Sequence, residues 1–137
     1  MQIFVTGTAY QTALDLDRKR LSNQITEARI TFDCLMRRNG WDKHPLIKMY
    51  RGYAVWLDWY INTLRAVFRG DLESAIEFSR EADKVQPEWF GEEFYNMHRS
   101  RLYTKNPKEY YQWAYLGTSY SNWYLVDGVW KEYKQTK

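Results

Sequence analysis

Arg20, Gln24, Glu27 and Thr31 fall at steps of four, three and four within the stretch LDLDRKRLSNQITEARITFDCLMRR. At about 100° per residue, that spacing puts them in one row along a helix. A guanidinium, an amide and a carboxylate in line can form one wall of an active site. The first would hold an anion, the second orient a substrate, and the third move a proton or stabilise a developing cation. The same row can also be an exposed flank whose Arg–Glu partnership contributes about 0.2–0.5 kcal/mol.

Other candidates are fewer. His44-Pro45 stands where a helix begins, so a phosphate there would meet free amide N–H groups; the plainer alternative is a capping turn. His98-Arg99-Ser100-Arg101 is either a phosphate clamp or a solvated helix face. The two histidines share no ligand-type spacing and the chain has one cysteine, Cys34, so no metal site and no internal disulfide are expected. A glycine-rich phosphate loop, a GxSxG elbow and an HExxH pair are all absent from the sequence. No organic cofactor is called for.

Net charge is +3, too small to announce a nucleic-acid binder, yet Arg18-Lys19-Arg20, Arg37-Arg38 and His98-Arg99 with Arg101 form three basic clusters. Aromatic content is high, with 7 Trp, 12 Tyr and 6 Phe in 137 residues. Most must build a core, and a surplus could line a groove where bases stack. No secretory segment follows Met1 and no apolar run approaches 18 residues, so a soluble cytoplasmic protein is expected.

The elements that must position these residues follow from periodicity. Met1–Tyr10 reads as an extended arm, apolar enough at Ile3, Phe4 and Val5 to dock on the body and hold the terminus in place. A helix over Leu14–Arg38 buries a seam of Leu21, Ile25, Ala28, Phe32 and Leu35 and stops at Asn39-Gly40. Pro45 opens a second helix to Arg69, roughly 36 Å long, expected to be the most enclosed. Asp71 caps a third, with Leu72, Ala75, Ile76 and Ala82 facing inward. A fourth runs from about Gly91 to Lys105, and Asn106-Pro107 starts a short fifth. Asp127-Gly128, between Trp123–Val126 and Val129-Trp130, marks a type I′ hairpin at about 120–133. The fold class is mainly α: a compact helical bundle, one domain over 1–137, with a short C-terminal β-hairpin.

Met1-Gln2-Ile3-Phe4, Leu16-Asp17 leading into Arg18-Lys19-Arg20-Leu21, Gln24 and Glu27 resemble the N-terminal half of the pyrimidine-dimer DNA glycosylase family, the endonuclease V of bacteriophage type. Gly40-Trp41 with His44-Pro45, Trp89-Phe90-Gly91, His98-Arg99-Ser100-Arg101-Leu102 and Asn106-Pro107-Lys108-Glu109-Tyr110 look like blocks of its bacterial branch. The ordered series spans about residues 1–115 and leaves the hairpin outside.

The resemblance implies a DNA N-glycosylase of DNA repair, with an abasic-site lyase step, acting on damaged or modified pyrimidines in DNA. Its nucleophile is the amine at the chain terminus, which attacks the sugar C1′ and forms an imine, and Glu27 matches the assisting glutamate. An α-amine, with a reference pKa of about 7.7–8.0 against about 10.4 for lysine, suits that work. Arg20 and Gln24 would orient sugar or phosphate, and His44, His98, Arg99 and Arg101 would contact the DNA backbone. In the archetype the initiator is removed to expose a small Thr, whereas here Gln2 is bulky. Either the amine of Met1 serves, displaced by one residue, or the imine chemistry is lost. Two other functions fit the same residues: a module that binds or cleaves a small nucleotide signal, cyclic nucleotides included, in the same pocket without DNA, and an interaction module that captures a partner through the hairpin.

Overall fold

The computed structural model describes residues 1–37 and 43–134. Its elements are, in chain order, α1 (Ala9–Asp15), α2 (Arg18–Arg37), α3 (Pro45–Tyr50), α4 (Ala54–Phe68), α5 (Leu72–Lys84), α6 (Glu92–Lys105), a 3₁₀ helix (Tyr111–Leu116), β1 (Ser121–Val126) and β2 (Val129–Lys134). The fold is mainly α with a two-stranded antiparallel hairpin at its C-terminal end. The expected Asn39-Gly40 stop, Arg38 and Trp41 lie outside the described residues. No helix among the described residues is long and apolar enough to cross a membrane.

The arm docks as its composition predicts. Ile3, Phe4 and Val5 are buried, and each contributes about 1.5–3 kcal/mol by leaving water. The helix expected from Leu14 to Arg38 starts later, at Arg18; Leu14 and Asp15 instead end a separate helix, α1, that begins at Ala9 within the expected extended arm. Leu16 takes extended backbone (ψ 135°) and is buried, and Asp17 then starts α2 by accepting from the Arg20 N–H at 3.4 Å. The Tyr110 hydroxyl donates to Asp17 Oδ1 and accepts from the Asp17 N–H at 3.1 Å, which ties this elbow to the segment after α6.

The helix expected over Pro45–Arg69 is two. The apolar stripe continues across the break, but Arg51 is extended and Gly52 sits at φ +92°, in the left-handed region that favours glycine. Tyr50 and Trp56 stack across the gap at 5.6 Å. The second piece, α4, is the enclosed helix expected, with Trp56, Leu57, Tyr60, Ile61 and Leu64 buried, and it packs on α1, α2 and α5.

Asp71 caps α5 as predicted, accepting from the Ser74 N–H at 3.2 Å, but Leu72 and Ile76 are exposed and Ala75, Ser79 and Ala82 face inward. Small residues allow α5 to lie close on α4. The short fifth helix is 3₁₀ rather than α. In the hairpin, Asp127 (φ 51°) and Gly128 (φ 77°) adopt the positive φ that a type I′ turn requires, and Trp123 pairs with Glu132 and Leu125 with Trp130. Tyr50, Trp56, Tyr60, Phe94 and Tyr110 build the expected aromatic core, and Tyr111, Tyr115 and Tyr120 are exposed.

Candidate active site

The seam of α2 is not the one its apolar residues suggest. Leu21, Gln24, Ala28, Thr31 and Cys34 are buried, while Ile25, Phe32 and Leu35 are only half-buried. The polar row therefore faces inward, because the arm lies along it and supplies partners. Gln24, 2 % exposed, accepts at Oε1 from the Phe4 N–H (2.9 Å) and the Tyr60 hydroxyl (3.2 Å). Its Nε2 donates to the Gln2 carbonyl (3.0 Å) and to Glu27 Oε2 (3.0 Å). Both N–H groups of the amide and its oxygen are thus engaged by the protein, the Tyr60 proton being shared with the Phe4 carbonyl. Gln24, expected to orient sugar or phosphate, clamps the arm to α2 instead and aims Glu27.

Three more contacts hold the arm. The Tyr60 hydroxyl donates to the Phe4 carbonyl at 2.7 Å. His98, expected on a DNA phosphate, is 1 % exposed between Phe4 and Phe94, and its Nδ1 accepts from the Val5 N–H at 2.7 Å. Burial lowers its pKa to about 3, so it works as a neutral acceptor and not as a cation. Arg99 donates to the Thr6 carbonyl at 2.7 Å and pairs with Glu92 at 2.9 Å. Arg101 is buried, with Nη1 3.4 Å from the Ser119 carbonyl. Of the predicted phosphate clamp, His98 and Arg99 therefore hold the arm in place.

The arm delivers the α-amine of Met1 to the neighbourhood of Glu27. A small cleft of about 80 Å³ is lined by Met1, Gln2, Arg20, Glu27, Lys105 and Asn122, together with Phe4, Asn23 and Gln24. Burial pushes the Glu27 carboxyl above its ordinary value, outweighing the opposing pull of the α-amine, the Gln2 N–H, Lys105 and Gln24. A carboxyl raised in this way holds its proton more readily than a free one, which suits acid–base work. Arg20 reaches Asp17 at 3.9 Å from the cleft wall. Burial, with Arg101 and Arg20 close by, lowers the Lys105 amine, and Glu27 partly offsets them.

His44 caps α3, accepting at Nδ1 from the Leu46 N–H at 3.1 Å, which leaves the proton on Nε2. Burial, and then the nearby α-amine, lower its pKa, which favours the uncharged ring. Sequence patterns pointed to Glu27, Arg20, His44 and Met1. They did not single out Lys105 and Asn122, which also line the cleft, or Tyr124, which meets the Met1 carbonyl. Lys105 lies four residues after Arg101 on α6 and could have been found by helical spacing; Asn122 and Tyr124 share a face of β1, in the hairpin set apart as an appendage. Among the described residues, no three His, Cys, Asp or Glu side chains gather as a metal-holding group.

A family model described as pyrimidine dimer DNA glycosylase matches residues 1–69. That segment carries the arm, Arg20, Gln24, Glu27 and His44 and ends with α4; α6 and the hairpin lie beyond it. No curated protein and no solved structure matches the chain.

Proposed function

The chain belongs to the pyrimidine dimer DNA glycosylase family, and from that premise we propose that it cleaves the glycosidic bond of damaged or modified pyrimidines and then the DNA strand, using the Met1 α-amine as nucleophile and Glu27 as acid and base. One observation carries this reading: Met1, which bears the terminal amine, and the half-buried Glu27, whose carboxyl has a raised pKa, share a cleft of about 80 Å³. That volume suits part of a sugar and leaves the base outside, which fits attack on an extruded nucleotide.

In the first step the neutral amine donates its lone pair to C1′. The C1′–N bond breaks, its electron pair leaves with the base, and the departing base takes up a proton. Opening of the sugar ring gives a protonated imine. A base then removes a C2′ proton, and the C3′–O bond breaks to release the 3′ phosphate. Ionised Glu27 would stabilise the positive charge during attack and, lining the same cleft, serve as the acceptor for the C2′ proton. Arg20 and Lys105 are suited to the flanking phosphates. Gln2 and Asn122 add to the case. Both are 5 % exposed and line the cleft, and their Oε1, Nε2 and Oδ1 atoms have no hydrogen-bond partner among the described residues. Buried polar atoms of that kind are rare unless a ligand or water meets them.

Borohydride trapping on a duplex containing an abasic site tests the reading. A covalent adduct is expected, lost in Glu27→Gln, and peptide mapping should find it on Met1. An adduct on the Lys105 peptide would move the nucleophile to that amine, and no adduct at all would remove the lyase step.

A further inference from the structure

The Met1–Gln2 peptide is held at both polar ends. The Tyr124 hydroxyl donates to the Met1 carbonyl oxygen at 2.6 Å, and the Gln2 N–H donates to Glu27. The plane of that peptide is therefore fixed between β1 and α2. Rotation about the Met1 Cα–C bond is the motion left that would carry the amine away. The Met1 side chain opposes it, with Sδ 3.8 Å from the Thr31 hydroxyl.

We propose that Tyr124 is the positioning residue for the Met1 α-amine, which makes the first strand of the hairpin part of the catalytic centre. This rests on the amine being the nucleophile as proposed above. Attack on C1′ needs the nitrogen about 3–3.5 Å from carbon along one approach, and a displacement of about 1 Å costs roughly a hundredfold in rate. A terminal residue ordinarily frays. Here the tether comes from a tyrosine 3 % exposed, whose hydroxyl burial keeps protonated and so able to donate. The Tyr124 ring is itself fixed: His44 meets it edge-on at 5.7 Å and Tyr133 at 5.2 Å. Asn122, two residues earlier on the same strand face, sets its carboxamide against the same hydroxyl.

Tyr124→Phe removes one oxygen and keeps the ring. The trapping rate on abasic-site duplex is expected to fall roughly tenfold to a hundredfold, with the dissociation constant for that duplex unchanged. The melting temperature should drop by no more than about 5 °C. In the free protein, the NMR order parameter of the Met1 Cα–H bond should fall below the wild-type value. Wild-type trapping by Tyr124→Phe overturns the proposal. So does slowed trapping with unchanged Met1 order, because the hydroxyl would then be acting on the substrate. If the wild type forms no adduct, the nucleophile reading fails by itself, and the order parameter alone decides whether Tyr124 fixes the terminus.

Discussion

Glu27 holds its charge in a place where burial resists it, and that conflict has a measurable sign. Its folded-state pKa is raised, so the folded protein binds the Glu27 proton more tightly than the unfolded chain does. The associated stability is complete below the ordinary carboxylate range and is lost as pH rises through the folded pKa. Glu27→Gln should therefore melt at or above the wild type at pH 7, with the difference closing as pH falls toward 4, even as trapping is abolished; calorimetry across that range checks it. A variant that melts lower at pH 7 would mean that the carboxylate is a net structural asset. The row Arg20–Gln24–Glu27 was visible in the sequence because a helix has a fixed angular step. Which side of the row is buried was not visible, because Gln24 and Thr31 are buried only by virtue of bonds to residues some 20 to 30 positions away. His98 shows the same limit: its basic neighbours suggested a phosphate, and only packing against Phe4 and Phe94 reveals a neutral anchor.

At the scale of elements, sequence periodicity located most of the helices but not their interruptions. The apolar stripe runs on through Gly52, so the pattern predicted one long helix where the chain forms α3 and α4, while α1 falls on residues read as the end of the arm and was missed. The capping aspartate at 17 and the glycine at 52 were the local signs of a break. The hairpin, by contrast, was fully legible, since Asp127-Gly128 states its turn type. Its role was not, because register says nothing about where a ribbon docks. Gly128→Ala tests that role: a Cβ at φ +77° costs roughly 1–2 kcal/mol and loosens the turn. The expected outcome is a melting temperature lower by several degrees and a larger proportional loss of trapping than of stability. Full trapping in a folded variant with a disturbed hairpin would make the ribbon an appendage.

Across the whole molecule, the arm is the common partner of α2, α4, α6 and β1, so global stability and site assembly are coupled. His98 makes the coupling sensitive to acid. Its folded pKa is depressed to about 3 against about 6.5 when free, so its stability is fully present above pH 6.5 and declines as pH falls toward 3. Between pH 6.5 and 5, above the main carboxylate range, the slope should approach about 1.4 kcal/mol per pH unit. Urea unfolding at stepped pH measures it, and His98→Gln should remove most of it, leaving the smaller share from His44. A slope unchanged in His98→Gln would assign the acid sensitivity elsewhere.

The bond between Tyr124 and Met1 joins residues 123 positions apart. Synthesis runs from the arm toward its tether, so Tyr124 is made more than a hundred residues after Met1. Until then Ile3, Phe4 and Val5 travel on the nascent chain without their full complement of partners, an apolar lead segment that chaperones or premature self-association could claim. Each shortened translation product that lacks residue 124 would carry the amine, the carboxyl and the arm, yet not the hydroxyl that we propose fixes the amine, and on that proposal would trap slowly.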